Sequence, residues 1–458
     1  MMPRLNANEL TQRQLVFMII ALLAIWSAIF SYTFTNPFEW DDLHLIRPYS
    51  VSELLSTFHG PNDPDHIETP ALRPLATMFF HLQGTVFGEN MVLQRAFMVI
   101  VMAAFLWTVG LLLRELGLSL YHIVIVFVLL VSSRVFASLM LWLVMGSLLL
   151  AYIFMTLSAL FYLRWMKRGS RHLLILTFVF TALAAFSREE AYTLPIALPL
   201  IWWLSTRDHS NYRSALMGAV GAFAIIICHY ALRSILITGA PQPGLNVSRA
   251  LTAVVSAAFP GGVQTTGIAD RSLEYCWALF LAWTVFAFFR IADRGPRQIV
   301  FGICVLGLVL STPALAVARS FGVALPALAF FTGIAVTVVE IHRYYLSRGQ
   351  KQTFVKSIPL VCVIGLALGI ASGVSRSGYV AQSLNEDSTE AVLHNSRLLF
   401  DQRVTIPTER RQRFLAHLNT LGISSRDGWE HLAAQDRSVD TTTLPPPMFK
   451  AKYGYLLF

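Results

Sequence analysis

The chain has 458 residues, of which 55% are hydrophobic and only 13% charged, with a mean hydropathy of +0.58. A water-soluble protein of this length would carry about a quarter charged residues, so the composition excludes a soluble enzyme and fits an all-α protein that crosses a membrane many times. The net charge of +9 is unevenly placed, which makes it a topology signal and argues against a nucleic-acid partner.

In chain order the apolar runs predict about eleven spans, at 15–35, 92–113, 120–137, 141–163, 172–187, 190–205, 214–236, 274–290, 298–317, 321–341 and 357–374. The first run is long enough to span and lacks a small-residue cleavage site, so it reads as a signal anchor. Lys and Arg crowd one set of short loops: Arg164/Lys167/Arg168/Arg171, Arg207/Arg213, Arg290/Arg294/Arg297 and Arg343/Arg348/Lys351/Lys356. The alternate loops are poor in them. By the positive-inside bias the N-terminus is then cytoplasmic, and an odd number of spans places the C-terminal tail on the far side, periplasmic if the membrane is a bacterial inner membrane.

The first outer loop, residues 36–90, carries eight carboxylates against two arginines. Asp41 and Asp42 stand side by side within about two helical turns of the membrane edge, where two anions are costly unless water, a cation or a charged substrate meets them. Ser50 and Glu53 have capping-box spacing ahead of Val51, Leu54, Leu55 and Phe58, predicting a short amphipathic helix in the membrane interface. The stretch 60–65 (GPNDPD) breaks the chain, and Pro74 to Phe87 leads back toward the membrane. A solvated loop with two surface helices is the plainer account of this region.

Residues 237–273 form a second long outer loop rich in Gly, Pro, Ser and Thr, read either as a lid or as a linker. Asn246-Val247-Ser248 matches a glycosylation acceptor, a short and unspecific pattern. From residue 375 the composition turns polar, and 383–400 and 408–421 look helical. The expected organisation is therefore a transmembrane domain over 1–374 and a small extracytoplasmic helical tail over 375–458. Cys228, Cys276, Cys304 and Cys362 lie in or beside apolar runs without metal spacing and read as core or lipid-facing residues.

Several ionisable residues fall at or within apolar segments: Arg95, Arg134, Arg188, Glu189, Glu190, Arg233 and Arg319. A charge at membrane depth costs at least about 2.5 kcal/mol, so each needs a partner or water. By the topology above, Arg134, Arg188, Arg233 and Arg319 lie near outer ends, on the side of Asp41. Arginine suits phosphate, being always charged and able to bind it through two parallel hydrogen bonds. The competing reading is snorkelling, or pairing with Glu189 or Glu190. His44, His59, His66 and His81 share the first outer loop with Asp63, Asp65 and Glu68, a set that a divalent cation could use, although the spacings match no zinc motif.

Taken together, Phe38-Glu39-Trp40-Asp41-Asp42 after a first span, Ile46, then Leu72-Arg73-Pro74-Leu75 before a phenylalanine-rich stretch and Phe87-Gly88, resemble the GT-C superfamily of integral-membrane glycosyltransferases. The likeness is to its protein O-mannosyltransferase-like and TMTC-like branch. Ser187-Arg188-Glu189-Glu190 followed by Thr193-Leu194-Pro195 is similar to that branch's Lys-Glu then Leu-Pro pattern, with Arg188-Glu189 in the Lys-Glu position. The resemblance covers residues 15–205. It implies a GT-C-like bundle with interfacial helices in the first outer loop, a polyprenyl-phosphate sugar as donor, and Asp41 and Asp42 as the catalytic acidic pair. TMTC-like members continue into tetratricopeptide repeats; this chain has only its short tail.

The residues fit such a reaction without the name. Moving a sugar from a lipid phosphate to a hydroxyl needs a base for the hydroxyl proton and positive charge at the departing phosphate. Asp41 is the candidate base, with Asp42 orienting the acceptor, helping a cation, or exchanging roles with it. Arg73, Arg134, Arg188 and Arg319, with Glu189, are the candidate donor-binding residues. The acceptor class, whether glycan, lipid or protein, is left open. A transporter or flippase, an oligosaccharide ligase or polymerase, and a non-catalytic relative that keeps the fold as a scaffold are the alternatives.

Overall fold

The computed structural model describes residues 11–35, 42, 45–64, 71–206, 210–237, 254–255, 257–261, 272–292, 294–315, 324–347 and 360–378. These residues form helices and turns, with no strand among them. The helices are α1 Gln12–Ile29, α2 Val51–Ser56, α3 Pro74–Phe87, α4 Met91–Glu115, α5 Leu120–Ser132, α6 Arg134–Leu141, α7 Gly146–Arg168, α8 Arg171–Ser187, α9 Leu194–Ser205, α10 Tyr212–Leu236, α11 Ser272–Ile291, α12 Arg294–Leu310, α13 Ala324–Ser347 and α14 Leu360–Gly378. The predicted helices at 383–400 and 408–421, and most of the 237–273 loop, lie outside the described residues.

Every apolar run that predicted a span contains a helix. Seven of these helices are long and apolar enough to cross a membrane: α1, α4, α7 with the turn before it, α10, α11, α13 and α14. The pair α5 and α6, bent by 60° at its break, would make eight. Helices α8 and α12 are apolar but shorter, and α9 has 12 residues, about 18 Å against a hydrocarbon thickness of about 30 Å.

The break between α5 and α6 is a departure from the single span expected at 120–137. Ser133 is extended, with φ −74 and ψ 150, which ends the first helix. Its hydroxyl donates to Leu130 O and accepts from Phe136 N–H, so one side chain closes α5 and caps α6. Trp142 to Met145 then form a second irregular stretch before α7. Both breaks are buried, as irregular backbone at membrane depth must be if no lipid is to face it.

The outer spans divide into a buried stripe and an apolar face turned outward. On α1, Leu15, Ile19, Leu23 and Trp26 recur at helical spacing and are buried, while Phe17, Ile20 and Ile25 are exposed. Lipid tails are as apolar as these side chains, so packing and interhelical hydrogen bonds hold such a bundle together. Helices α7 and α13 are central and mostly buried. Helix α7 packs on α4, α8 and α9, and α13 on α5, α11 and α12. Thr108 of α4 meets Thr156 of α7 at 2.8 Å, and Ser158 of α7 meets Thr181 of α8 at 2.9 Å. The Tyr162 hydroxyl donates to Ala215 O of α10.

An apolar cavity lies between α4, α7, α9, α12 and α13. Leu194, Leu310 and Leu325 line it near one end of the bundle, Leu116 and Leu204 near the other. Among the described residues that line it, Thr156 and Thr332 alone are polar.

Candidate functional site

The described part of the segment between α1 and α4 packs at the end of the bundle where α1 stops and α7 starts. Helix α2 forms where the capping box predicted it: Ser50 accepts from Glu53 N–H, and Glu53 accepts from Ser50 N–H. Burial would raise the Glu53 carboxyl, but the hydrogen bonds of Ser50 and the charge of Arg47 hold it below the usual range. Val51, Leu55 and Phe58 are exposed, leaving an apolar edge on this six-residue helix. Helix α3 presents Met78, Leu82 and Val86 outward in the same way and buries Phe79, Phe80 and Gln83. At Gly84 the backbone of Arg47 passes so close that any Cβ would strike it, so the glycine lets the loop lie flat against α3.

Asp42 is fully buried, and its Oδ1 accepts a hydrogen bond from Val144 N–H at 2.9 Å. Val144 belongs to the irregular stretch ahead of α7, whose first N–H groups lack partners within the helix. A carboxylate is favoured there by hydrogen bonding and by the helix dipole. On the other side of the same stretch, Arg95 of α4 donates from Nη1 to Leu141 O at 2.7 Å, closing the end of α6. Two charges that looked anomalous in an apolar sequence thus meet the backbone groups that the helix break frees. Asp41 lies outside the described residues.

The second charged group is built around Glu189, in the turn between α8 and α9. Arg73, the residue before α3, places both Nε and Nη2 on Glu189 Oε2, at 2.8 and 2.6 Å. Arg233 of α10 faces the other oxygen, with Nε 3.6 Å from Oε1. Arg233 forms this ion pair but no hydrogen bond among the described residues, although its Nε is shielded from solvent. Burial alone would raise the Glu189 carboxyl; the charge and hydrogen bond of Arg73, with the charge of Arg188, outweigh it and bring it down to about 2. Burial would likewise lower Arg73, but the charges of Glu189 and Glu190 keep its guanidinium above its ordinary value. Among the described residues this group holds three arginines, Arg73, Arg188 and Arg233, and two glutamates, Glu189 and Glu190.

One helical turn before Arg233 on α10, His229 joins the same elements. Its Nε2 lies 3.3 Å from Leu72 O, the carbonyl next to Arg73. Its Nδ1 lies 2.9 Å from the Tyr192 hydroxyl, three residues beyond Glu189. Phe186 and Tyr192 stand edge-on to its ring.

Of the residues singled out in the sequence, Arg73 and Glu189 are in direct contact, with Arg188 close enough for its charge to act on Glu189. Glu189 pairs with Arg73 from the start of α3 and with Arg233 from α10. Arg134 is buried at the α5–α6 break, where its N–H donates to Pro260 O. Arg319 lies outside the described residues. The sequence groups Arg233 with Arg134, Arg188 and Arg319 as outer-end arginines suited to phosphate, and His229 and Tyr192 are not among its candidates. The i, i+4 spacing of His229 and Arg233 on an apolar helix is the signal that was there to find.

Of the possible cation ligands, His81 accepts Tyr49 N–H through Nδ1, and His44, Asp65, His66 and Glu68 lie outside the described residues. Among the described residues no three His, Cys, Asp or Glu side chains gather as a metal site. No known family model matches the chain, and a comparison with curated proteins finds no relative.

Proposed function

We propose that the chain is a GT-C-type glycosyltransferase that moves a sugar from a polyprenyl-phosphate donor to an acceptor hydroxyl on the extracytoplasmic face. The observation that carries this reading is the Glu189 group. It gathers Arg73, Arg188 and Arg233 around Glu189 and Glu190, the shielded Nε of Arg233 has no hydrogen-bond partner among the described residues, and the apolar cavity reaches Leu194, five residues after Glu189. A lipid phosphate combines the two chemistries such a place would take, an anionic head and an apolar tail.

In this account Asp41 is the base. The acceptor hydroxyl gives its proton to the Asp41 carboxylate as its oxygen bonds to the anomeric carbon, and the bond from that carbon to the phosphate oxygen breaks. The polyprenyl phosphate leaves with the bonding electrons, its charge met by Arg233, Arg188 and Arg73. Asp42, held on Val144 N–H, anchors the loop that carries Asp41. Eleven spans, with the N-terminus cytoplasmic, would put Asp41 and the Glu189 group on the same side. Arg134, Arg319 and a divalent cation at the acidic pair belong to the proposal as further candidates, on the sequence argument alone.

The bent α5–α6 pair is the one feature that favours a lipid transporter, since broken helices often line transport sites. Reconstitution separates the two readings. Liposomes holding the protein and a radiolabelled polyprenyl-phosphate mannose should yield labelled water-soluble or acceptor-bound sugar and free polyprenyl phosphate. Movement of intact donor across the bilayer, with the sugar–phosphate bond uncut, would instead mark a transporter.

A further inference from the structure

We infer that His229 is the positioning residue of the arginine clamp, holding Arg73 in place through the Leu72 carbonyl and Glu189 through Tyr192. This rests on the reading of the Glu189 group as a lipid-phosphate site. Leu72 O can only accept a hydrogen bond, so His229 Nε2 carries the ring proton, and Nδ1 then accepts from the Tyr192 hydroxyl. The imidazole therefore ties the start of α3 to the turn after α8. Those are the two segments whose side chains, Arg73 and Glu189, form the closest ion pair of the group.

Helix α10 presents His229 and Arg233 one turn apart, the first to Leu72 O and the Tyr192 hydroxyl and the second to Glu189, so the same helix sets both the clamp and its support. The ring is 2% exposed and has Phe186 and Tyr192 against it, which leaves it one orientation. His229 does not itself reach the phosphate in this account. It acts on Arg73 by fixing the backbone from which that side chain extends. A shift there would spread the two guanidinium groups, and binding of one anion by two arginines depends on their separation.

The probes are farnesyl phosphate and farnesol, which share a tail and differ in the phosphate, bound to the full chain in nanodiscs. Wild-type protein should prefer the phosphate. His229→Leu should weaken farnesyl phosphate binding by about tenfold, the scale of a lost positioning hydrogen bond, and leave farnesol binding as it was. His229→Gln, whose amide nitrogen can donate to Leu72 O, should recover most of that loss. Tyr192→Phe keeps the Leu72 contact and should weaken phosphate binding by about threefold, which tests the idea even if His229→Leu fails to fold. Equal loss of both probes, a glutamine variant no better than leucine, or Tyr192→Phe binding like wild type would each overturn the positioning role. A wild-type protein that binds the two probes equally would overturn the clamp itself.

Discussion

The two ends of the bundle each hold a carboxylate between two cations, and they differ in what surrounds it. At one end Glu115 of α4 meets Arg164 Nε at 3.3 Å and Lys167 Nζ at 2.9 Å, and the lysine side chain is 45% exposed. At the other end Glu189 meets Arg73 and Arg233, both about a quarter exposed, and backbone contacts through His229 hold the elements that supply them. Glu115 is no more exposed than Glu189, 18% against 21%, so the two groups differ in their partners, one of which is an exposed lysine. The second draws its charges from three separate segments, those of Arg73, Glu189 and Arg233, where the first uses α4 and α7 alone; the apolar cavity reaches both, lined by Leu116 beside Glu115 and by Leu194 after Glu189. Carboxylate–cation groups thus stand at both ends, and the one drawn from three segments is the candidate binding site.

Activity should break this symmetry most strongly. Arg233→Leu removes a donor aimed at the departing phosphate and should lower sugar transfer by about a hundred- to a thousandfold, while Arg164→Leu should leave it within about twofold. Equal losses at the two ends would mean that Arg233 does no more than Arg164.

Stability gives a smaller contrast. Glu189→Ala leaves two partly buried cations uncompensated and should cost up to about 3 kcal/mol, against under about 1 kcal/mol for Glu115→Ala. Thermal melts of the two variants in one detergent would show it. Equal losses would show that the two groups contribute alike.

The pH dependence has a definite sign. The carboxyl of Glu189 is lowered in the folded protein, so its contribution is complete above the ordinary value of 4.5 and is lost as pH falls toward about 2. Wild-type melting temperature should drop over that acid window by more than that of Glu189→Gln, which has no carboxyl to protonate. Parallel curves would show that Glu189 is not held low.

The smallest effect should be at Asp42. Asp42→Asn keeps an oxygen for Val144 N–H and should lose a few tenths of a kcal/mol, while Asp42→Ala should lose about 1 kcal/mol, as a lost helix cap does. A large loss of transfer in a stable Asp42→Asn protein would move it from anchor to catalyst.

Much of this was legible in the sequence because it depends on local pattern. Apolar runs located the helices, Ser50 and Glu53 located α2, and the unusual position of Arg73, Arg188 and Glu189 marked them as residues in need of partners. The partners themselves were not legible. Asp42 bonds to a backbone N–H 102 residues away and Arg73 to a carboxylate 116 residues away, separations that leave no period to read. The α5–α6 break escaped for another reason. Ser132-Ser133-Arg134 is short and polar enough for a loop, but the apolar residues on either side outweigh it in any window long enough to find a span.

The central claim is that the first outer loop carries the base. Asp41→Asn is nearly isosteric and should keep fold, abundance and farnesyl phosphate binding. Transfer from polyprenyl-phosphate mannose in liposomes should fall by about a hundred- to ten-thousandfold, the usual effect of removing a general base. Wild-type transfer by a well-folded Asp41→Asn protein would contradict the account.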